Sequence, residues 1–135
     1  MLKYYTLFLF IPILFLKQNL YGENKNLDLK LSKETIKIFY KYISSNRQKQ
    51  DRFLITVDGT GTYVWACPQT LCFPSGKSYY VKPCSDLNNN IQCEIFAIGR
   101  KIVLKNKVSA SNDLRILKQS DNFRKVSDVL KKLDF

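Results

Sequence analysis

Four cysteines, Cys67, Cys72, Cys84 and Cys93, are the residues of this 135-residue chain whose type and spacing most directly imply chemistry. A thiolate can act as nucleophile or metal ligand, and two thiols can oxidise to a bridge. Nucleophilic cysteine needs a partner base, and the chain has no histidine. That absence removes Cys–His and Ser–His pairs, the commonest general base and most catalytic zinc sites. The spacings, C-x4-C and C-x8-C, also depart from the C-x2-C knuckles of structural zinc sites. Two disulfides are therefore expected, and four cysteines allow three connectivities. Joining neighbours, Cys67–Cys72 and Cys84–Cys93, closes the shortest loops, each worth roughly 2–3 kcal/mol in the chain-entropy model.

Carboxylates offer less. Asp58 lies in Asp58-Gly59-Thr60-Gly61, where a turn favours Asp. Glu94 is the other acid flanked by core-like residues. A glycosidase pair would need two such acids converging in a cleft, and nothing in the pattern brings these together. The Asp-Gly-Thr-Gly cluster is no phosphate loop, because no Gly-Lys-Ser/Thr follows it. Binding is the better class. Phe73, Tyr79 and Tyr80 lie close to Lys77 and Lys82, with Arg100 further along. Aromatic faces beside cations suit sugar rings, lipid interfaces or exposed bases. Tyr63 and Trp65, two apart on a strand, point to one face and are expected in the core.

These residues need a compartment that allows bridges. Lys3 precedes the apolar run LFLFIPILFL (7–16), and a small residue, Gly22, precedes a polar stretch. Those are the parts of a secretory leader, expected to be cut after Gly22. A membrane span would need about 20 apolar residues, and Pro12 interrupts the run. Removing residues 1–22 leaves 113 residues with 20 Lys and Arg against 11 Asp and Glu, a net charge of +9. Such a balance favours an anionic envelope polymer or a lipid surface, leaves room for a protein partner, and ranks nucleic acid last because an exported protein seldom meets it.

The elements that must position the cysteines follow from periodicity. Leu31, Ile36, Phe39, Tyr40 and Ile43 recur at helical spacing after Ser32, an N-cap, predicting a helix over 32–45. Residues 47–51 read as a polar connector. Strand-like runs 53–57 and 62–67 flank the Asp-Gly turn and predict a hairpin. Residues 68–76 are loop, and 77–87 form a short helix or turn carrying Cys84, limited by Pro83. Residues 91–104 are strand-like around Gly99-Arg100, either a hairpin with a two-residue turn or one strand bulged at Gly99. In the tail Phe123, Val126, Leu130 and Leu133 form an apolar stripe with Ser120 or Asp121 as cap, opposite Lys118, Arg124, Lys125, Lys131 and Lys132. That stripe either docks on the domain or lies on an anionic membrane.

Across 62–104 the chain resembles small uncharacterised exported bacterial domain-of-unknown-function modules. The resemblance rests on Tyr63-Val64-Trp65-Ala66-Cys67-Pro68, the pair Cys84 and Cys93, and a closing C-x-I-F-A-x-x-R-x-I-V strand from Cys93 to Val103. Those modules place tryptophan after the final valine, where this chain has Leu104. The resemblance implies export, paired cysteines and a small α+β domain, with no activity attached.

The expectation is thus an α+β protein. A leader (1–22) precedes a bridged domain (23–106) with an antiparallel sheet of three or four strands from 52–67 and 92–105, packed by the N-terminal helix, and a helical tail (107–135) follows. It is expected to be a non-enzymatic periplasmic or secreted binding module without a cofactor. The alternative is an inhibitor presenting the Cys67–Cys72 loop to a wall-degrading enzyme, or an enzyme of unrecognised type.

Overall fold

The computed structural model describes residues 28–67, 78–106 and 111–135. The expected leader, and the loop with Cys72, Phe73 and Lys77, lie outside the described residues.

Helix α1 spans Lys33–Ser44 and starts where the Ser32 hydroxyl accepts the Thr35 N–H at 3.0 Å. Its inward face is Thr35, Phe39, Tyr42 and Ile43. Strands β1 (Arg52–Thr56) and β2 (Thr62–Trp65) form an antiparallel hairpin. The turn between them is built against the start of α1. The Gly59 carbonyl accepts the Ser32 N–H at 3.1 Å and the Thr35 hydroxyl at 2.8 Å. Gly59 has φ +74°, and a Cβ there would lie 2.2 Å from the Lys30 carbonyl oxygen, so both backbone and space demand glycine.

Strand β3 (Cys93–Ile98) pairs with β1, and β4 (Lys101–Ile102) pairs with β3, giving a four-stranded antiparallel sheet in the order β2-β1-β3-β4. Ala97 faces Ile102 and Ile98 faces Lys101, so Gly99-Arg100 is the turn of a hairpin, with Gly99 at φ +54°. A bulge exists, but elsewhere. The β1–β3 register steps from Phe53↔Ala97 to Leu54↔Ile95, leaving Phe96 as the extra residue. Strand residues normally alternate faces, yet this insertion puts the neighbours Phe96 and Ala97 in the same core. The strand expected to reach 105 stops at Ile102, after which the Val103 and Leu104 N–H groups both donate to the Phe96 carbonyl.

Helix α2 (Ser78–Leu87) carries Pro83 inside it, which removes one backbone donor. It ends at Asn89 and Asn90, both at positive φ (54° and 59°), a conformation Asn tolerates better than most residues. Helix α3 (Phe123–Lys132) is capped by Asn122, which accepts the Lys125 N–H at 2.9 Å. The expected cap lay one or two residues earlier. Asp121 instead accepts the Lys118 N–H at 2.7 Å and closes the preceding turn. At the far end the Phe135 N–H bonds the Leu130 carbonyl and the Asp134 N–H bonds that of Lys131, with Asp134 at φ +64°. That Schellman arrangement turns Phe135 back onto the helix.

The elements stack in three layers. Helices α1 and α3 cover one face of the sheet, where Phe39, Phe53, Ile55, Phe96, Ile102, Val126, Leu130, Leu133 and Phe135 form one core. Rings of Phe39 and Phe96, and of Phe96 and Phe135, meet edge-on at 4.9 Å. Val126, Leu130 and Leu133 of the tail's apolar stripe are therefore spent inside the domain, while Phe123 stays 43% exposed. Helix α2 covers the other face over Leu54, Tyr80, Cys84 and Cys93.

Candidate functional site

The α2 layer holds the described members of the expected aromatic–cationic site. One bridge is present, Cys84–Cys93, joining α2 to β3 with Cα atoms 6.1 Å apart. None of the described cysteines carries a free thiol. Cys67 is buried, and its expected partner Cys72 lies outside the described residues. At the helix C-terminus Asn88 donates to the Cys84 carbonyl at 2.8 Å and to that of Thr62 at 3.3 Å, tying α2 to β2. Gly61 leaves room for this contact, since a Cβ there would lie 2.3 Å from the Asn88 side-chain oxygen.

The structure separates the candidate binding residues. Tyr80 is 8% exposed and its ring stacks at a tilt on Trp65, 5.6 Å away. Trp65 and Tyr63 share that face with Leu54 and the disulfide. Tyr79, one residue earlier, is 66% exposed. Lys82 is exposed beside it and pairs with Asp86 at 2.6 Å. Arg100 is on the opposite side of the sheet. Its guanidinium donates to the carbonyls of Ile43 at 3.1 Å and Ser45 at 2.7 Å, holding the C-terminus of α1. A cation there also meets the negative end of the helix dipole. Among the described candidates, Tyr79 and Lys82 alone remain together at the surface. Phe73 and Lys77 lie outside the described residues.

Several buried polar groups escaped the sequence reading. Asp51 sits in what reads as a polar connector, yet it is 3% exposed. One carboxylate oxygen accepts the Cys67 N–H at 2.9 Å; the other accepts the Gln48 N–H at 3.1 Å and faces Arg47 at 3.7 Å. Its signal was Arg47 four residues before an acid at the edge of an apolar strand. Tyr42 donates its hydroxyl to the Gly99 carbonyl at 2.8 Å, with the Arg47 guanidinium 4.8 Å from its ring centre. Burial, aided by the Asp51 charge, pushes the Tyr42 phenol well above its usual pKa. Arg115 is buried and donates to the Leu104 carbonyl at 2.7 Å.

Asp58 is a turn residue. Its carboxylate accepts the Thr56 hydroxyl and the Thr60 N–H and hydroxyl, and these bonds, Thr56 first, hold its pKa below the usual carboxylate range. For Asp121 burial works against the charge, but the Lys118 N–H and the Lys125 ammonium outweigh it and lower the pKa. Glu94 is half-buried on β3, opposite Ile55 of β1. Among the described residues no group of three His, Cys, Asp or Glu side chains could hold a metal ion. No helix among them is long and apolar enough to cross a membrane. The oxidised Cys84–Cys93 pair fits an exported protein.

No family model, curated protein or solved structure matches this chain.

Proposed function

We propose that this is an exported, disulfide-stabilised module that binds an anionic partner in the cell envelope and performs no catalysis. The observation that carries the proposal is a surplus of exposed cations without acidic partners. Among the described residues, Lys30, Lys37, Arg47, Lys82 and Lys125 form ion pairs. Lys33, Lys41, Lys49, Lys101, Arg124, Lys131 and Lys132 are exposed with no described carboxylate within ion-pair distance. Unpaired surface charge of one sign raises the local concentration of the opposite ion and speeds its capture.

The buried polar groups support the non-catalytic part. Asp51, Tyr42, Arg100 and Arg115 each satisfy backbone groups, so their chemistry is spent on the fold. The bridge Cys67–Cys72, the leader and its cleavage after Gly22 belong to the same proposal. So does the likeness of 62–104 to exported modules, which supports the compartment.

Intact mass of protein secreted with its own leader, alkylated with and without prior reduction, tests the compartment and the bridges. A start at Glu23 and four thiols released only by reduction are expected. Pull-down on anionic envelope polymers and vesicles at low and high salt tests the ligand. Recovery at low salt that fades at high salt is expected, because a Debye length of about 10 Å at 0.1 M shrinks to about 3 Å at 1 M. Four free thiols in the native compartment, or no binding to any anionic material at low salt, would sink the proposal.

A further inference from the structure

The binding face that the geometry points to is the outer surface of α1 and α3, and we infer that its partner is an anionic phospholipid surface. This rests on the anionic-partner proposal above and adds where and to what the protein binds. Charge is divided unevenly between the layers. The exposed residues of α1 and α3 comprise seven Lys and Arg against Glu34 and Asp128, whereas α2 exposes one lysine and one acid, paired with each other. On α1 the cations Lys33, Lys37 and Lys41 repeat every four residues, opposite the buried stripe of Phe39, Tyr42 and Ile43. On α3, Arg124 and Lys131 are one helical stripe, opposite buried Val126, Val129 and Leu130. Helices α1 and α3 pack side by side, so the two stripes form one broad cationic face.

An aromatic pair lies at the seam. Tyr40 of α1 and Phe123 of α3 meet edge-on with centroids 5.5 Å apart, and Phe123 remains 43% exposed. An unbranched polyphosphate has no apolar or aromatic group to set against an exposed phenyl ring. The headgroup zone of a bilayer takes aromatic rings at the level where cations meet lipid phosphates. The mode differs from that of an amphipathic helix lying in the interface. Val126, Leu130 and Leu133 of the tail's stripe are committed to the core, so what reaches the lipid is the polar face with the single ring of Phe123. The contact is therefore peripheral, dominated by charge and sensitive to salt.

Vesicle flotation tests this with protein recovered after expression with its own leader. Phosphatidylcholine vesicles containing phosphatidylglycerol are compared with phosphatidylcholine alone, and the neutral vesicles report any contribution from an uncut apolar leader. The triple variant Lys41→Gln, Arg124→Gln, Lys131→Gln is expected to lose on the order of 100-fold in partition to the anionic vesicles, given about 1 kcal/mol per basic residue at such a surface. The control Lys49→Gln, Lys101→Gln, Lys105→Gln removes the same net charge elsewhere and is expected to lose only a few-fold. Unchanged melting temperature shows that both variants fold. Phe123→Ser is expected to abolish whatever anionic-vesicle binding survives high salt. Equal losses in the two triple variants would overturn the face. Binding to soluble polyphosphate without binding to anionic vesicles would overturn the lipid and leave the anionic-partner proposal standing. Binding to neither would defeat both.

Discussion

One face of the sheet is covered by two helices that close over an aromatic core, the other by a single ten-residue helix held by a disulfide. Among the described residues, the first cluster has fifteen buried apolar residues and the second has four. Burial of apolar area at about 25 cal/mol per Å² can hold the first layer in place. It does far less for α2, which has Pro83 in its interior and few inward side chains. There a covalent link and the Asn88 contacts supply what packing does not. The charge follows the same division. Among the described residues, helices α1 and α3 expose Lys33, Lys41, Arg124, Lys131 and Lys132 unpaired, whereas α2 exposes one lysine and one acid, paired with each other.

The largest expected effect lies in the aromatic core. Phe96→Ala removes a ring that meets Phe39, Phe53 and Phe135 and is expected to lower unfolding free energy by about 3–5 kcal/mol in urea denaturation. A loss under 1 kcal/mol would mean this layer is not what holds the molecule together.

Removing the bridge should act on the other layer. The Cys84→Ser, Cys93→Ser double variant reopens a loop of sequence separation 9 and is expected to lose about 3 kcal/mol. Hydrogen exchange should then rise in 78–87 well before 33–44 or 123–132. Uniform acceleration across all three helices would contradict independent securing of the two faces.

Tyr42→Phe is smaller, about 1 kcal/mol for the lost bond to Gly99. The raised phenol pKa makes it pH-dependent. Stability from a neutral buried tyrosine is fully present below the ordinary value of about 10 and is lost as pH rises toward the folded-state value. Denaturation midpoints at rising pH should therefore fall more steeply in the parent than in Tyr42→Phe.

The smallest effects belong to Asp121 and Asp58, both in turns beside the helix pair. Their pKa values are lowered on folding, so their stabilisation is present above the ordinary value of about 4 and is lost as pH falls below it. Asp121→Asn should flatten the acid limb of a stability–pH curve. Asp58→Asn should do so less, because Asp58 is exposed and screened by water.

The two faces also differ in how visible their functional residues are in the sequence. Tyr79, Tyr80 and Lys82 stand out as neighbours, yet folding sends Tyr80 under Trp65 and leaves Tyr79 outside. Arg100 reads as a free cation, yet it closes the end of α1. Lys33, Lys37 and Lys41 are legible as a stripe, and so are Arg124 and Lys131. Their union is not, because residues 45–122 lie between the helices and only tertiary packing brings them together.

By itself the sequence determined the features that depend on a few adjacent residues. These are the Asp58–Gly61 turn, the shared face of Tyr63 and Trp65, and the Cys84–Cys93 pairing over a short loop, whereas the choice between a turn and a bulge at Gly99 was made by strand pairing. Backbone sterics and loop length act locally, so spacing suffices to read them. Only the tertiary structure decided which residues share a layer. The bulge at Phe96 turns two consecutive side chains into one core, and no periodicity announces it, because strand register is set by the partner strand. The same non-local packing spends Arg100, Asp51, Val126, Leu130 and Leu133 on the fold. What it leaves facing outward is a cationic surface assembled from two distant helices.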